Sequence, residues 1–245
     1  MVIAHRGYSK YALENTISAF DAALLAGAKG IECDVRLTGD DKAIIYHNKH
    51  IKFSDNKVKI SKHSIKDLKE ICKYSGHELL ALDDLFDYIK QKQTQFFLEV
   101  KTSSATLIES ITKKIREENL WEQVHITGFS FFVKNALRAQ SQHPKLQVGQ
   151  FLHLPAYSYI RKPKKSYCVF LGWLDQFPGS QTLFRTIFSS DRLSRLKDFL
   201  EKQGFNVKAG VINNDSGLDL FTKAGITDIV TDRVTETVNY FKQKS

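Results

Sequence analysis

The chain has 245 residues, of which 42% are hydrophobic and 11% aromatic, so it can bury a full core and is too apolar for a disordered protein. Its formal net charge of +9 favours partners that carry phosphate, such as nucleic acid, anionic lipid or a phosphorylated metabolite. No apolar run is long enough to predict a membrane span, and the first residues lack the pattern of a signal peptide.

The cysteines indicate the redox environment of the protein, and the basic residues indicate its class of partner. Cys33, Cys72 and Cys168 are few and widely spaced, which predicts a reducing cytoplasm with neither disulfides nor a zinc site. Most basic residues are dispersed, and the one cluster, at residues 161–165, lies in a predicted loop. No aromatic-interleaved motif or recognition helix accompanies them, so we expect a solvated basic surface and no nucleic-acid partner.

The first predicted element is a short apolar strand at residues 2–4 that leads directly into His5 and Arg6. A pair of polar residues at the carboxyl end of a strand occupies the usual place of catalytic groups in parallel α/β folds. A helix follows, for which either Asn15 or Thr16 provides the N-cap.

The next predicted strand, at residues 30–36, carries charge on one face. Glu32 and Asp34 alternate with apolar residues, and a strand rise of about 3.3 Å per residue places their carboxylates about 7 Å apart. Burying two like charges side by side costs several kcal/mol unless a cation lies between them, and a divalent metal suits such oxygen ligands. The alternative is a solvated strand face with scattered charges.

Residues 43–46 form a further predicted strand, which leads into His47. The segment 49–81 is long for a simple connection and contains two short predicted strands and a helix. We interpret it as an insertion that packs over the mouth of the fold, with its apolar residues chiefly forming a small core of its own.

A strand at residues 96–101 carries Glu99 and Lys101, two residues apart and therefore on one face. From there helices and strands alternate to the end of the chain. Predicted helices lie at 83–91, 105–119, 131–140, 190–203, 217–224 and 235–242, and predicted strands at 124–127, 146–151, 168–172, 207–212 and 228–231.

This alternation predicts about eight parallel strands in one domain spanning residues 1–245, a TIM (β/α)8 barrel with a small insertion after the second strand. A doubly wound sheet is the alternative, but no glycine-rich dinucleotide fingerprint follows any strand. In a barrel the carboxyl ends of the strands converge on one mouth. There we expect three carboxylates, two imidazoles and two cations to meet, a set suited to phosphoryl chemistry: His5, Arg6, Glu32, Asp34, His47, Glu99 and Lys101.

The ordered motifs resemble those of the glycerophosphodiester phosphodiesterase family over essentially the whole chain. They are His5-Arg6-Gly7, Glu14-Asn15-Thr16, Gly30-Ile31-Glu32-Cys33-Asp34-Val35, His47-Asn48, Leu98-Glu99-Val100-Lys101 and the tail from Gly225 to Arg233. The resemblance implies a divalent cation, Ca²⁺ or Mg²⁺, held by Glu32, Asp34 and Glu99. It further implies that His5 and His47 are the acid/base pair and that Arg6 and Lys101 contact the substrate phosphate.

By the same resemblance, the expected activity is hydrolysis of small-molecule glycerophosphodiesters to glycerol 3-phosphate and an alcohol. The chain departs from the family pattern at Asn48, where Asp is usual, at Asp41 or Lys42, where Gly is usual, and near the seventh strand, where a common Trp is missing. The nucleophile is either water or the glycerol 2-hydroxyl of the substrate. Two other functions stay open: cleavage of lysophospholipids in the manner of a lysophospholipase D, and non-catalytic binding of phosphate or nucleic acid.

Overall fold

The computed structural model describes residues 1–53, 56–74, 78–152, 155–159, 163, 166–174 and 177–244. Its strands are β1 (Val2–His5), β2 (Gly30–Leu37), β3 (Ala43–Ile45), β4 (His50–Phe53), β5 (Asn56–Lys59), β6 (Gln95–Val100), β7 (Val124–Phe129), β8 (Gln147–Phe151), β9 (Cys168–Leu171), β10 (Asn206–Ala209) and β11 (Ile229–Thr231). Eight of them are parallel in the order β1-β2-β6-β7-β8-β9-β10-β11, and β11 returns to pair with β1. The closed barrel confirms the predicted TIM fold.

Helices lie between the strands, and most of them cover the outside of the barrel. They are α1 (Ile17–Leu25), α2 (Ile65–Tyr74), α3 (Leu82–Ile89), α4 (Ala105–Glu117), α5 (Lys134–Ala139), α6 (Ser180–Ile187), α7 (Ser190–Glu201), α8 (Asp215–Lys223) and α9 (Val234–Lys244). Thr16, rather than Asn15, caps α1 by accepting the backbone N–H of Ala19 at 3.3 Å. No helix in the described part of the chain is both long and apolar enough to cross a membrane.

The predicted strand after β2 exists, but it is not one of the parallel barrel strands. β3 runs antiparallel to β2, with Ile45 opposite Val35. The turn between them, at residues 38–42, is too short for the crossover of a dozen or more residues that a parallel strand requires. The hairpin carries the chain away from the barrel, and the direct neighbour of β2 is therefore β6.

The described part of segment 49–81 has the predicted hairpin and helix. β4 and β5 pair antiparallel, a single 3₁₀ turn (Ile60–Lys62) follows, and α2 completes the segment. Its buried apolar side chains form a small cluster on Ile44 of β3: Ile51, Ile60, Leu68, Cys72 and Leu79. The segment is also tied to the β2–β3 turn, because the backbone N–H of Gly39 donates to the carbonyl of His63 at 2.8 Å.

The region between β8 and α7 departs most from the sequence expectation. A 3₁₀ helix (Pro155–Tyr159) precedes β9, and α6, which the sequence reading did not predict, follows it. Gly179 directly precedes α6 and has a left-handed φ of 82°, which glycine adopts without strain. Of the basic cluster at 161–165, only Pro163 lies among the described residues.

The inside of the barrel is filled by side chains and is not a pore. Ile3, Phe97, Cys168, Phe170 and Val230 form the central apolar cluster. Towards the amino ends of the strands, the buried Lys208 ammonium pairs with the Asp228 carboxylate at 2.6 Å. Burial and the neighbouring Lys208 charge lower the pKa of the stacked His125 to about 3, so this imidazole is neutral. The barrel opens into a cavity at the carboxyl ends of its strands.

Candidate active site

A cavity of about 300 Å³ opens at the carboxyl ends of the barrel strands. The structure brings all seven predicted site residues together there: His5, Arg6, Glu32, His47, Glu99 and Lys101 line the cavity, and Asp34 lies buried in contact with them. The strand register accounts for this convergence, because His5 lies opposite Glu32 and Asp34 lies opposite Glu99 on adjacent parallel strands.

Three carboxylates are buried in the site. Glu32, Asp34 and Glu99 are 1%, 0% and 6% exposed, so the alternative of a solvated strand face does not hold. An oxygen atom from each of the three lies within 4.8 Å of an oxygen of the others. Burial and the adjacent Asp34 charge raise the pKa of Glu32, and burial likewise raises the pKa of Glu99 against the opposing effect of Lys101. Ionising all three therefore requires more positive charge nearby.

Two cationic side chains supply part of that charge. The Lys101 ammonium contacts Asp34 Oδ1 at 2.8 Å and Glu99 Oε1 at 2.7 Å. Arg6 places Nε 3.1 Å from Asp34 Oδ2, and its Nη1 donates to Glu14 at 3.0 Å. Although burial alone would raise the pKa of Asp34, Lys101 and Arg6 together lower it. Asp34 is thus the most strongly ionised member of the triad.

The loop after β1 positions Asp34 through Asn15. The Asn15 side chain donates to Asp34 Oδ2 at 2.9 Å and accepts the backbone N–H of Asp34 at 3.0 Å. Asn15 has a left-handed φ of 61°, and Arg6 has a φ of 57°, a conformation that costs energy for residues other than glycine. The packing of the loop on β2 maintains both strained residues and fixes the carboxylate from two sides.

The acidic residues fit a divalent cation. Glu32 Oε1 is buried and has no hydrogen-bond donor among the described residues, although its other oxygen accepts the backbone N–H of Arg6 at 3.1 Å. A buried carboxylate oxygen without a partner is costly, and hard cations such as Mg²⁺ and Ca²⁺ prefer carboxylate oxygen ligands. Glu32, Asp34 and Glu99 therefore provide both the ligand type and the uncompensated charge that such an ion requires.

His5 is held by a short chain of polar side chains. Its Nδ1 lies 2.7 Å from Asp232 Oδ1, and the other oxygen of Asp232 accepts from Asn213 Nδ2 at 2.6 Å. Burial alone would raise the pKa of Asp232, but the hydrogen bonds from His5 and Asn213 have the larger combined effect and lower it. The carboxylate is therefore ionised, and His5 Nδ1 carries the proton of their hydrogen bond. His5 Nε2 then faces Glu32, at 3.9 Å. Burial opposes charging of His5, but Asp232 and Glu32 outweigh it and raise its pKa.

His47 is positioned through its backbone. It follows β3, and the guanidinium of the buried Arg36 donates from Nε to the carbonyl oxygen of His47 at 2.7 Å. Arg36 lies two residues beyond Asp34 on β2, so one strand carries two of the acidic groups and also anchors the second imidazole. Burial lowers the pKa of His47, with partial compensation by Asp34. The two histidines are therefore shifted in opposite directions.

The far wall of the cavity is apolar. Phe129 and Phe151 end β7 and β8, and Trp173 and Leu174 follow β9. The charged residues come from β1, β2, β6 and the loops after β3 and β11, on the other side of the mouth. The site is therefore divided into a charged half and an aromatic half.

Residues 5–236 match the model of the glycerophosphoryl diester phosphodiesterase family. The chain belongs to this family. It is 24% identical over 254 residues to a glycerophosphodiester phosphodiesterase of Caldanaerobacter subterraneus, covering 99% of this chain and 98% of the relative. It is 23% identical over 289 residues to a lysophospholipase D of Rattus norvegicus, covering 99% and 86% of the two chains.

Solved structures show the same fold. A phosphodiesterase of Oleispira antarctica in complex with the product sn-glycerol-3-phosphate superposes with a TM-score of 0.76 at 21% identity, covering 99% of this chain and 96% of that one. A glycerophosphodiester phosphodiesterase of Thermotoga maritima gives a TM-score of 0.74 at 21% identity, with 98% and 97% covered. With the family match, these likenesses make the chain an enzyme, a phosphodiesterase on a TIM barrel.

Several site residues were not found by sequence reasoning. The sequence places Asn15 in a family motif and as a candidate helix cap, and Asp232 within the tail motif, but it indicates a role in the site for neither. Trp173, which follows the sixth barrel strand, β9, lines the cavity and was not singled out from the sequence. A polar residue directly after a barrel strand, as Asp232 is after β11, was the one sequence signal for its place in the mouth.

Proposed function

We propose that the chain hydrolyses glycerophosphodiesters to glycerol 3-phosphate and an alcohol in a reaction that depends on a divalent cation. The observation that carries the proposal is the buried acidic triad within a cavity that also holds two imidazoles and two cationic side chains. A merely phosphate-binding barrel would have no use for three buried carboxylates, which repel phosphate. The glycerol phosphate bound to the relative from Oleispira antarctica adds support.

Glu32, Asp34 and Glu99 would hold the ion, either Mg²⁺ or Ca²⁺. The ion would supply Lewis-acid stabilisation of negative charge on the phosphate oxygens. Arg6 and Lys101, both at the same cavity, would contact the phosphate and orient it. The ion pairs that these two cations make with the triad hold them in place beforehand, which reduces the cost of ordering the site when substrate binds.

His5 and His47 would act as the acid/base pair, one removing a proton from the nucleophile and the other protonating the departing alcohol. Such a pair needs one protonated and one neutral imidazole at the working pH, which is favoured when their environments shift their pKa values apart. The raised pKa of His5 and the lowered pKa of His47 are consistent with this requirement. Asp232 keeps the Nδ1 proton of His5 in place, so Nε2 is the atom available to the reaction.

Two further expectations remain part of the proposal. Segment 49–81 would cap the mouth and help to position His47, because it begins two residues after that histidine and is tied to the β2–β3 turn. Its described residues do not line the catalytic cavity, and Phe53 packs near the ring of Tyr74, so its effect on substrate choice would be indirect. A cytoplasmic location agrees with three buried cysteines that form no disulfide.

The test is turnover of glycerophosphocholine and glycerophosphoethanolamine by the purified chain, before and after a chelator and after adding back Mg²⁺ or Ca²⁺. We expect chelation to abolish turnover and one of the ions to restore it. Glu99→Gln should weaken cation binding by at least tenfold, because it removes one charged ligand. The matched control is Glu109→Gln, at an exposed position on α4. Turnover that survives chelation, or equal cation affinity in both variants, would contradict the proposal.

A further inference from the structure

A groove of about 710 Å³ lies beside α5, bordered by the loop that follows this helix and by the residues that lead into β9. Lys134 and Arg138 come from α5, Lys145 comes from the loop, and Ser166 and Tyr167 directly precede β9. We refer to it as the α5 groove. It shares no lining residue with the catalytic cavity, so it is separate from the site of the proposed reaction.

The α5 groove carries uncompensated positive charge. Lys134, Arg138 and Lys145 line it, and no carboxylate does so among the described residues. None of these three cations forms an ion pair or a side-chain hydrogen bond with another described residue. Glu109 lines a neighbouring groove with Arg138, and Glu122 lines a different one, but neither carboxylate reaches ion-pairing distance of these cations. Cations that line one space repel each other, and an anion that enters the space relieves the repulsion.

The sequence around the α5 groove is one-sided in charge. Residues 123–174 contain seven Lys or Arg residues and no Asp or Glu. Two of the seven, Lys134 and Arg138, are four residues apart on α5, so they lie on the same helix face. Like charges at this spacing destabilise a helix, and no acidic side chain is near in sequence to offset them. The helix therefore bears a repulsion that a bound anion would remove.

Neutral polar groups complete the lining. The Ser141 hydroxyl donates to the carbonyl of Arg138 at 2.7 Å, and the Ser166 hydroxyl accepts from Gln150 at 2.9 Å, so both are already engaged. Gln147 differs from them, because its buried Oε1 has no hydrogen-bond donor among the described residues. The two ends of a glutamine amide have nearly the same shape, and turning the amide over would place its N–H donors there. The groove thus offers a neutral donor in addition to its three cations.

The walls of the groove are held by contacts within the folded chain. Gln140 Nε2 donates to the carbonyl of Leu146 at 2.9 Å, which fastens the loop that carries Lys145. The ring of Tyr167 packs on that of the buried His125, with centroids 4.9 Å apart. The cations therefore surround a space that is already part of the fold, which lowers the entropic cost of binding a ligand.

We propose that the α5 groove binds a small phosphorylated metabolite that carries two or more negative charges. Guanidinium and ammonium groups are the usual protein partners of phosphate, and three of them match the charge of a phosphomonoester or a diphosphate. The volume of the groove lies in the range of roughly 300–1,000 Å³ that accommodates a whole small molecule, so the phosphate is part of a larger ligand. This inference goes beyond the proposed function and does not depend on it.

The test is calorimetric titration with inorganic pyrophosphate, in a buffer that contains a chelator and no divalent cation. Under these conditions the three buried carboxylates of the catalytic mouth repel an anion, so binding is expected in the α5 groove. Wild type should bind one equivalent with a Kd below about 1 mM, and the affinity should weaken as the salt concentration rises. Arg138→Gln and Lys145→Gln, both at exposed positions, should each raise the Kd by about tenfold.

The matched control is Arg195→Gln, at an exposed arginine of α7 that does not line the groove, and Arg6→Gln controls for binding in the catalytic mouth. Both should keep the wild-type Kd, and thermal unfolding should show that every variant is folded. Equal Kd values for wild type, Arg138→Gln and Lys145→Gln would overturn the proposal, as would loss of binding in Arg6→Gln alone. A single-stranded oligonucleotide that displaces pyrophosphate at a lower phosphate concentration would also overturn it and assign the groove to nucleic acid. Because no turnover is measured, failure of the proposed function would leave these results unaffected.

Discussion

Asp232 offers a sharp test of how His5 is held. Asp232→Asn preserves the shape of the side chain but replaces one oxygen by an NH₂ group. In the wild type one oxygen accepts from His5 Nδ1 at 2.7 Å and the other accepts from Asn213 Nδ2 at 2.6 Å. An amide cannot accept at both positions, so the new NH₂ group must face either the imidazole or the Asn213 amide. One of the two hydrogen bonds is therefore lost in either orientation.

The expected decrease in kcat follows from the strength of the hydrogen bond that is lost. A bond to a charged group contributes about 1.5–3 kcal/mol, which corresponds to roughly a 10- to 150-fold change in rate if it is lost during the reaction. We expect a kcat decrease in this range for Asp232→Asn, because His5 loses its fixed proton position and the carboxylate that stabilises its charged form. The KM should change little, since Asp232 contacts the Nδ1 edge of the imidazole, whereas Nε2 faces Glu32.

The assay is steady-state hydrolysis of glycerophosphocholine by wild type, Asp232→Asn and the control Asp215→Asn. Asp215 is an exposed carboxylate at the start of α8, so its change tests the effect of losing a negative charge on the same end of the barrel. Thermal unfolding of each protein establishes that the fold is retained. If kcat for Asp232→Asn stays within about threefold of wild type while the protein remains folded, Asp232 does not position the imidazole in the reaction.

Two more predictions concern other buried charges. Arg36→Lys keeps the charge but loses the guanidinium contact with the His47 carbonyl, so kcat should fall by about tenfold with little change in KM, and an unchanged kcat would rule out this positioning role. Asp228→Asn should reduce the free energy of unfolding at neutral pH by about 2–3 kcal/mol, because the buried Lys208 loses its partner. Burial raises the pKa of Asp228, but Lys208 lowers it overall, so its contribution is present above the unfolded-state pKa and is lost as pH falls through the folded-state value. Urea unfolding of both proteins should therefore show a smaller difference in acid than at neutral pH, and an equal difference at both would contradict this account.

The barrel could be predicted because its strands are short apolar runs separated by amphipathic helices. β3 has the same composition, with Ala43, Ile44 and Ile45 all buried, and only its pairing distinguishes it from a barrel strand. The length of the preceding turn indicates that β3 is antiparallel to β2, since five residues cannot make a parallel crossover. α6 was not predicted from the sequence. Its apolar residues line a cavity instead of packing against a barrel strand, so the alternation of strands and helices does not indicate it.

The charged half of the site was predictable for a related reason. Glu32 and Asp34 stand out on a strand whose neighbours are apolar, and the barrel topology brings Glu99 and Lys101 beside them. The supporting contacts were not predictable, because they join distant parts of the chain. Asp232 reaches His5 across 227 positions, and Asn15 reaches Asp34 across 19. The aromatic half gave no signal at all, since Phe129, Phe151 and Trp173 have the composition of ordinary core residues.

The division of the mouth has a consequence for substrate choice. Its charged side chains come from β1, β2, β6 and the loops after β3 and β11, so the repulsion among the three buried carboxylates is confined to one side, where a single cation can relieve it. The aromatic side bears no buried charge and adjoins a second, apolar cavity of about 200 Å³ that Phe184 of α6 also lines. A small polar diester such as glycerophosphocholine would use the charged half alone and leave the aromatic half in contact with water. We therefore expect the charged half to determine which bond is broken, and the aromatic half to favour the substrate that buries more hydrocarbon there.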